Sequence, residues 1–366
     1  MIRWRKGTVL AVVREWPGAA EMEVSIEGDT ADRGSRRALA YPALVGRPEP
    51  GDTVLLNTSA LALGLGTGGY AMVIAVPDRL PPDPAGPGHL VKARYTPLQA
   101  TVLGADEQDS PHHETLRDAD SLAGLPVIVA DLHSALPPIL AGLLAGRPGA
   151  RVVYVMPDGG ALPAWFSMSI ARLRAAGALA ATVTVGQAFG GDLEAVTVHT
   201  GLLAARLVLG ADAVVLAQGP GNLGTGTRWG FSGVSAGEAI NAAGVLSGRP
   251  VASLRVSEGD ARERHQGVSH HSLTAYGRVA LARAQVVVPE LPGDFGARVA
   301  AQAAPLRERH ELVRVPVDGL GDTLRGAEKD WGVRLSTMGR RLDEDLAYFL
   351  TAAAAGRHAA RLIAPR

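Results

Sequence analysis

Apolar residues follow two different rhythms along this chain. Over residues 2–77 the short runs GTVLAVV, AEMEVSI, RALAYPAL, GDTVLLNT and YAMVIAV recur with Gly, Pro and Asp between them. Val, Leu and Thr favour extended backbone, and the intervening residues favour turns. A repeat of roughly ten residues predicts a small all-β barrel or sandwich. The stretch PDRLPPDPAGPGH, residues 77–89, then breaks the pattern. Proline at that density resists helix and sheet alike and reads as a linker. The predicted organisation is a small β domain over 1–80, a Pro-rich linker over 81–88 and a larger domain over 89–366.

In the larger domain the rhythm changes. VIVAD (127–131), VVYVM (152–156), ATVTV (181–185), AVVLA (213–217), VASLRV (251–256) and QVVVP (285–289) are apolar with little polar alternation. Strands buried on both faces look like this. Between them lie Ala-, Leu- and Arg-rich stretches with helical periodicity, commonly ending in glycine as helix C-termini do. A last helix is expected at about 340–356. Alternating strands and helices predict a Rossmann-like three-layer α/β domain with a mainly parallel sheet.

Composition narrows the function only by exclusion. Lys plus Arg total 36 and Asp plus Glu total 36, so no net field favours nucleic acid or an anionic membrane. Cysteine is absent, which removes disulfides, thiolate metal sites and cysteine nucleophiles. The N-terminal apolar run is too short for a signal peptide. The longest membrane-span candidate, 135–146, is interrupted by Pro137 and Pro138. These features predict a cytoplasmic protein.

Chemistry collects just past the predicted strand ends. Asp131 and His133 follow the first of these strands. PDGG follows the second, and GQAFGGD the third. The fourth leads into AQGPGNLGTGTRWGFSG, residues 217–233. Open α/β sheets bind ligands beyond the carboxyl ends of their strands. A Gly-rich loop that precedes a helix can turn its N–H groups toward an anion. The expected cradle is therefore Gly219, Gly221, Asn222, Gly224, Thr225, Gly226 and Thr227, with Thr hydroxyls as added donors. The loop is not a Walker A motif, because no GK[ST] follows. Gly219, Gly221 and Gly224 match GxGxxG, but the acidic residue expected about 20 positions on is missing, which argues against dinucleotide binding. A loop packed against its own domain or against a dimer partner is the competing structural reading.

The second dense stretch is RVSEGDARERHQGVSHHSLTAYG, residues 255–277. Arg255 and Arg264, with Arg262 nearby, form a candidate clamp for phosphate or carboxylate. His265 and His270 join Asp131 and His133 as candidates for proton handling. His270 and His271 are adjacent, so on a helix they diverge by ~100° and are not expected to share a metal. No metal site is assigned, and no cofactor follows from these residues. Ser269 is the expected N-cap of a helix beginning HHSLTA, whose dipole would lower the His270 pKa.

GHLVKARYTPLQ (88–99), DLHSALPP (131–138), QGPGNLGTGT (218–227) and RERHQGVSHHSLTA (262–275) together resemble the bacterial domain-of-unknown-function family 3866, of actinobacterial type. The resemblance runs over nearly the full length and implies no activity and no catalytic residues. The favoured expectation is a site for a small anionic ligand at the strand ends, serving transfer or hydrolysis. The alternative is a non-catalytic ligand sensor or assembly protein whose β domain meets a partner. No nucleic-acid or membrane partner is expected, and homodimerisation is left open.

Overall fold

A computed structural model describes residues 1–28, 34–65 and 68–364. The chain forms two units, one of Met1–Pro87 with Val91–Thr101, the other of Gly88–Leu90 with Val102–Arg366. The first unit is a closed five-stranded barrel, so the barrel rather than the sandwich is formed. Its strands are β1 (Trp4–Trp16), β2 (Ala19–Ile26), β3 (Arg36–Ala40), β4 (Thr53–Asn57) and β5 (Ala71–Ala75), in the order β1-β2-β3-β5-β4. Closure leaves no free sheet edge.

The second unit is built on an eight-stranded sheet. The six apolar runs form β6 (Pro126–Val129), β7 (Val152–Met156), β8 (Ala181–Val185), β10 (Ala213–Leu216), β11 (Arg249–Ser253) and β12 (Gln285–Glu290). Two edge strands, β9 (Leu193–Ala195) and β13 (Glu311–Pro316), have no such run, because edge strands can carry charged and exposed residues. The order is β9-β8-β7-β10-β6-β11-β12-β13, and every pairing is parallel. Val127 and Val129 enter one core and Ile128 the other, as alternation requires of a sheet covered on both faces.

Successive strands β6 to β9 run outward on one side of β6; β10 returns to its flank, and β11 to β13 extend the other way. The central strands are therefore a topological switch point, where loops part and leave a crevice.

Helix α1 (Leu136–Gly146) forms where the periodicity predicts it, and Pro137 and Pro138 occupy its first turn, where a missing N–H costs nothing. The last helix, α2 (Leu346–Leu362), starts later than expected and runs past Gly356. That glycine is not a stop. A Cβ on it would sit 1.9 Å from the Ile139 carbonyl oxygen, and one on Gly142 would sit 1.9 Å from that of Ala353. Small residues let α1 and α2 pack with their backbones nearly touching. Among the described residues, no helix is long and apolar enough to cross a membrane.

Candidate functional site at the centre of the parallel sheet

Three neighbouring central strands, β10, β6 and β11, deliver their following loops to the same edge. Asp131 follows β6 and is buried. Its Oδ2 has no hydrogen-bond partner; it lies 4.0 Å from Arg255 Nη1 and 3.8 Å from His271 Nδ1. Arg255 follows β11, and its side chain is only 2% exposed. A buried guanidinium needs compensating charge, and Asp260 supplies a second carboxylate 3.7 Å from Nη2. Asp260 in turn takes a two-pronged ion pair from Arg262, at 2.9 and 2.7 Å. The Arg262 hydrogen bonds hold its carboxyl well below the usual range, against the opposing effect of burial.

The segment after Arg255 folds back on itself. Val256–Ser257 pairs antiparallel with Gly267–Val268, and the chain then enters a short helix, His270–Thr274. Ser269 caps it as expected, accepting from the His271 N–H at 3.2 Å. His265 and His271 are buried and His270 is half-buried. The rings of His270 and His271 do not diverge: their centroids lie 4.4 Å apart, and His265 is 5.0 and 4.9 Å from the two. Phe231 stacks on His271 at 3.8 Å with planes 2° apart, so the 217–233 loop holds one face of the cluster. Burial, reinforced by Arg255 and Arg262, lowers the His265 pKa to about 3. Burial followed by the charges of His271 and Arg264 lowers His270 to about 4. Burial, rather than the expected helix dipole, is the main cause at His270, and both rings are neutral at pH 7.

The Gly-rich loop is largely closed on itself. Thr225 N–H donates to the Gly230 carbonyl at 2.7 Å, and Gly230 N–H donates to Thr227 Oγ1 at 3.1 Å. The hydroxyls of Thr225 and Thr227 face each other at 3.1 Å. Asn222 Oδ1 accepts from Gln218 Nε2 at 2.8 Å, and the same nitrogen donates to the Asp131 carbonyl at 2.7 Å. Gly219 lies against Ala161, whose carbonyl oxygen would be 2.8 Å from an added Cβ. Gly221 and Gly226 have φ of +93° and +79°, which glycine alone adopts without strain. Gly224 pairs with Phe231 in a bridge.

The open volume lies beside this loop. A cavity of about 860 Å³ is bounded by Gly226, Arg228 and Trp229, by His270, and by Arg264, Arg278 and Arg309. Glu308 is the one acid on its wall. Among the described residues, none of the four arginines is in an ion pair. Of the expected ligand-binding residues, Gly226 and Arg264 therefore reach the cavity. Gly219, Gly221, Asn222, Gly224, Thr225 and Thr227 shape the loop behind it, and Arg255 is locked between two carboxylates.

His133 stands apart from the other three histidines. Its Nδ1 is 3.0 Å from Tyr154 Oη and its Nε2 is 2.7 Å from Ser167 Oγ. Tyr154 donates its own proton to the Ala217 carbonyl at 2.8 Å, so it accepts from His133. Both ring nitrogens are thus engaged, and burial lowers the pKa to about 4. Arg228 lies in the Gly-rich stretch but was assigned no binding role, and Arg278 and Arg309 lie on two further segments outside the stretches singled out in the sequence. Only the tertiary fold converges them.

Fold and site define a β-barrel unit joined to a parallel α/β unit, whose cavity is lined by the loop after β10, by Arg264 and by the segments 270–278 and 302–309. The chain belongs to the family described as protein of unknown function DUF3866, whose model matches residues 37–356. No curated protein and no solved structure matches it.

Proposed function

We propose that this protein binds a small anionic molecule, carrying phosphate or carboxylate, in the cavity beside Gly226. The observation that carries this reading is the convergence of Arg228, Arg264, Arg278 and Arg309 on one cavity, without ion-pair partners among the described residues. Guanidinium groups offer fork geometry matched to phosphate and carboxylate oxygens. Each such charge-assisted bond contributes roughly 1.5–3 kcal/mol. Trp229 adds an exposed ring on which a planar group can lie. The reactions such a site serves are transfer and hydrolysis; a sensor uses the same cavity without turnover.

The test is a thermal-shift screen against orthophosphate, sugar phosphates, nucleotides and dicarboxylates. A ligand at about 100 times its Kd stabilises by about 2.7 kcal/mol, which reads as a rise of several degrees. The parent should respond to at least one of these anions. Arg264→Ala should lose most of that response, and Arg264→Lys part of it, because a point charge replaces a fork. No response from the parent, or an undiminished one from Arg264→Ala, refutes the reading.

A further inference from the structure

We propose that His265, His270 and His271 form a binding site for one divalent transition-metal ion of the zinc class, with Asp131 orienting His271 from behind. The inference goes beyond the anion reading and does not depend on it. One candidate ligand atom from each of the three side chains lies within 4.8 Å of the other two. Each ring also has a nitrogen to spare. His265 engages Nδ1 with Ser269 Oγ at 2.7 Å, which leaves Nε2. His271 Nδ1 accepts from Arg255 Nη1 at 3.3 Å and lies 3.8 Å from Asp131 Oδ2, so the ring proton on Nε2 has to move to Nδ1, facing Asp131, for Nε2 to take the ion. His270 Nε2 is buried and has no hydrogen-bond partner among the described residues.

A buried imidazole nitrogen without a partner is costly. So is the lone oxygen of Asp131, which has none either. A metal ion accounts for both. It takes the spare lone pair of His270, and its charge is balanced by Asp131 acting through His271. Metal-bound histidines usually direct their second nitrogen at a carboxylate or other acceptor, which fixes the tautomer and the ring plane. Ser269 and Asp131 stand where those partners belong. Phe231, stacked on His271, restrains the third ring further.

The donor set selects the metal. Three imidazoles suit Zn, Co, Ni or Cu, while Mg and Ca prefer oxygen. Three protein ligands with an open fourth position is the arrangement of a catalytic rather than a structural zinc site. Zn–N bonds of ~2.0–2.1 Å bring tetrahedral ligand atoms to roughly 3.4 Å apart, so loading draws the rings inward by small rotations. Arg255 lies between the carboxylates of Asp131 and Asp260, and Asp260 is shared with Arg262 and Arg340, so the ion binds against residual positive charge. His270 also lines the arginine cavity, so the metal would stand at that cavity's wall, where it can act as a Lewis acid on a bound molecule.

The test uses full-length protein made without a polyhistidine tag, stripped with a chelator and free of added anions. Co²⁺ is titrated in and followed by its visible ligand-field absorption, and Zn²⁺ is then added as competitor. One equivalent of Co²⁺ per chain should give a saturating tetrahedral or five-coordinate spectrum, which Zn²⁺ should abolish as the tighter-binding ion. His270→Gln, at a half-buried position, should weaken binding by about 100-fold or more, since even losses around the ligands cost 10–100-fold. Arg264→Ala removes a positive charge that acts on His270 and should keep or tighten the one-to-one Co²⁺ titration. A parent with no saturable one-to-one spectrum overturns the proposal, as does a His270→Gln protein that binds Co²⁺ as tightly as the parent. The Co²⁺ titration contains no added anion and the thermal-shift screen no added metal, so either reading can fail without the other.

Discussion

Single residues carry the pH behaviour of this protein. The His133 pKa is lowered by burial from 6.5 to about 4. Between these values the unfolded chain holds a proton that the folded chain does not. The stabilising contribution is therefore complete above about pH 6.5 and is lost as pH falls toward about 4. A tenfold difference in proton affinity between the folded and unfolded chain corresponds to about 1.4 kcal/mol, so the loss at this one position is on the order of 1–3 kcal/mol. Urea unfolding between pH 4.5 and 7.5 should show the parent losing stability on acidification. His133→Gln should show a shallower fall, because the titrating group is gone. Parallel curves for the two proteins would mean that His133 titrates no differently when folded. Asp131 makes a separate prediction. Asp131→Asn keeps the size of the side chain but removes its charge, and should reduce Co²⁺ affinity by about 10–100-fold. An unchanged affinity would show that this carboxylate does not orient His271.

At the scale of elements, the contact between α1 and α2 is the most constrained. Gly142 and Gly356 admit the opposing backbones, and a side chain at either meets a carbonyl oxygen that cannot move independently of its helix. Gly356→Val should destabilise the protein by about 3 kcal/mol, at or above the usual range for overpacking. Chemical denaturation measures this directly, and a change under about 0.5 kcal/mol would show that the helices separate freely. The same contact explains a misreading. Gly356 ends the periodic pattern in the sequence as a C-terminal glycine would, and only the facing helix shows its packing role. By contrast, the six buried strands were legible because burial on both faces removes polar alternation altogether. Ser269 was legible because capping is a local interaction. The histidine cluster was not, because the rings meet through the fold-back of 256–268 and the placing of Phe231, which spacing along one helix does not record.

At the scale of the whole molecule, the Pro-rich stretch is exposed from Pro81 to Pro87 and lacks regular structure. Limited proteolysis should cut within 78–88, and a fragment starting near Gly88 should remain folded with its sheet intact. Insolubility of that fragment, beside a stable intact chain, would place the barrel among the requirements of the larger fold. That the loops after the strands share one edge was legible, because an alternation of strands and helices predicts a parallel sheet. The cavity was not, since Arg278 and Arg309 lie outside the stretches 217–233 and 255–277 and only the tertiary fold brings them to Arg228 and Arg264. The barrel offers a second arginine-bearing cavity of about 220 Å³, lined by Arg3, Arg5 and Arg36, and this is the natural competitor for any anion. The most direct measurement is therefore a crystal structure of the protein with the anion that shifts its melting temperature most. The account predicts that anion in contact with the Arg264 guanidinium, beside Gly226 and within the cavity that His270 lines. An anion bound at Arg3, Arg5 and Arg36, with the cavity beside Gly226 empty, would contradict it.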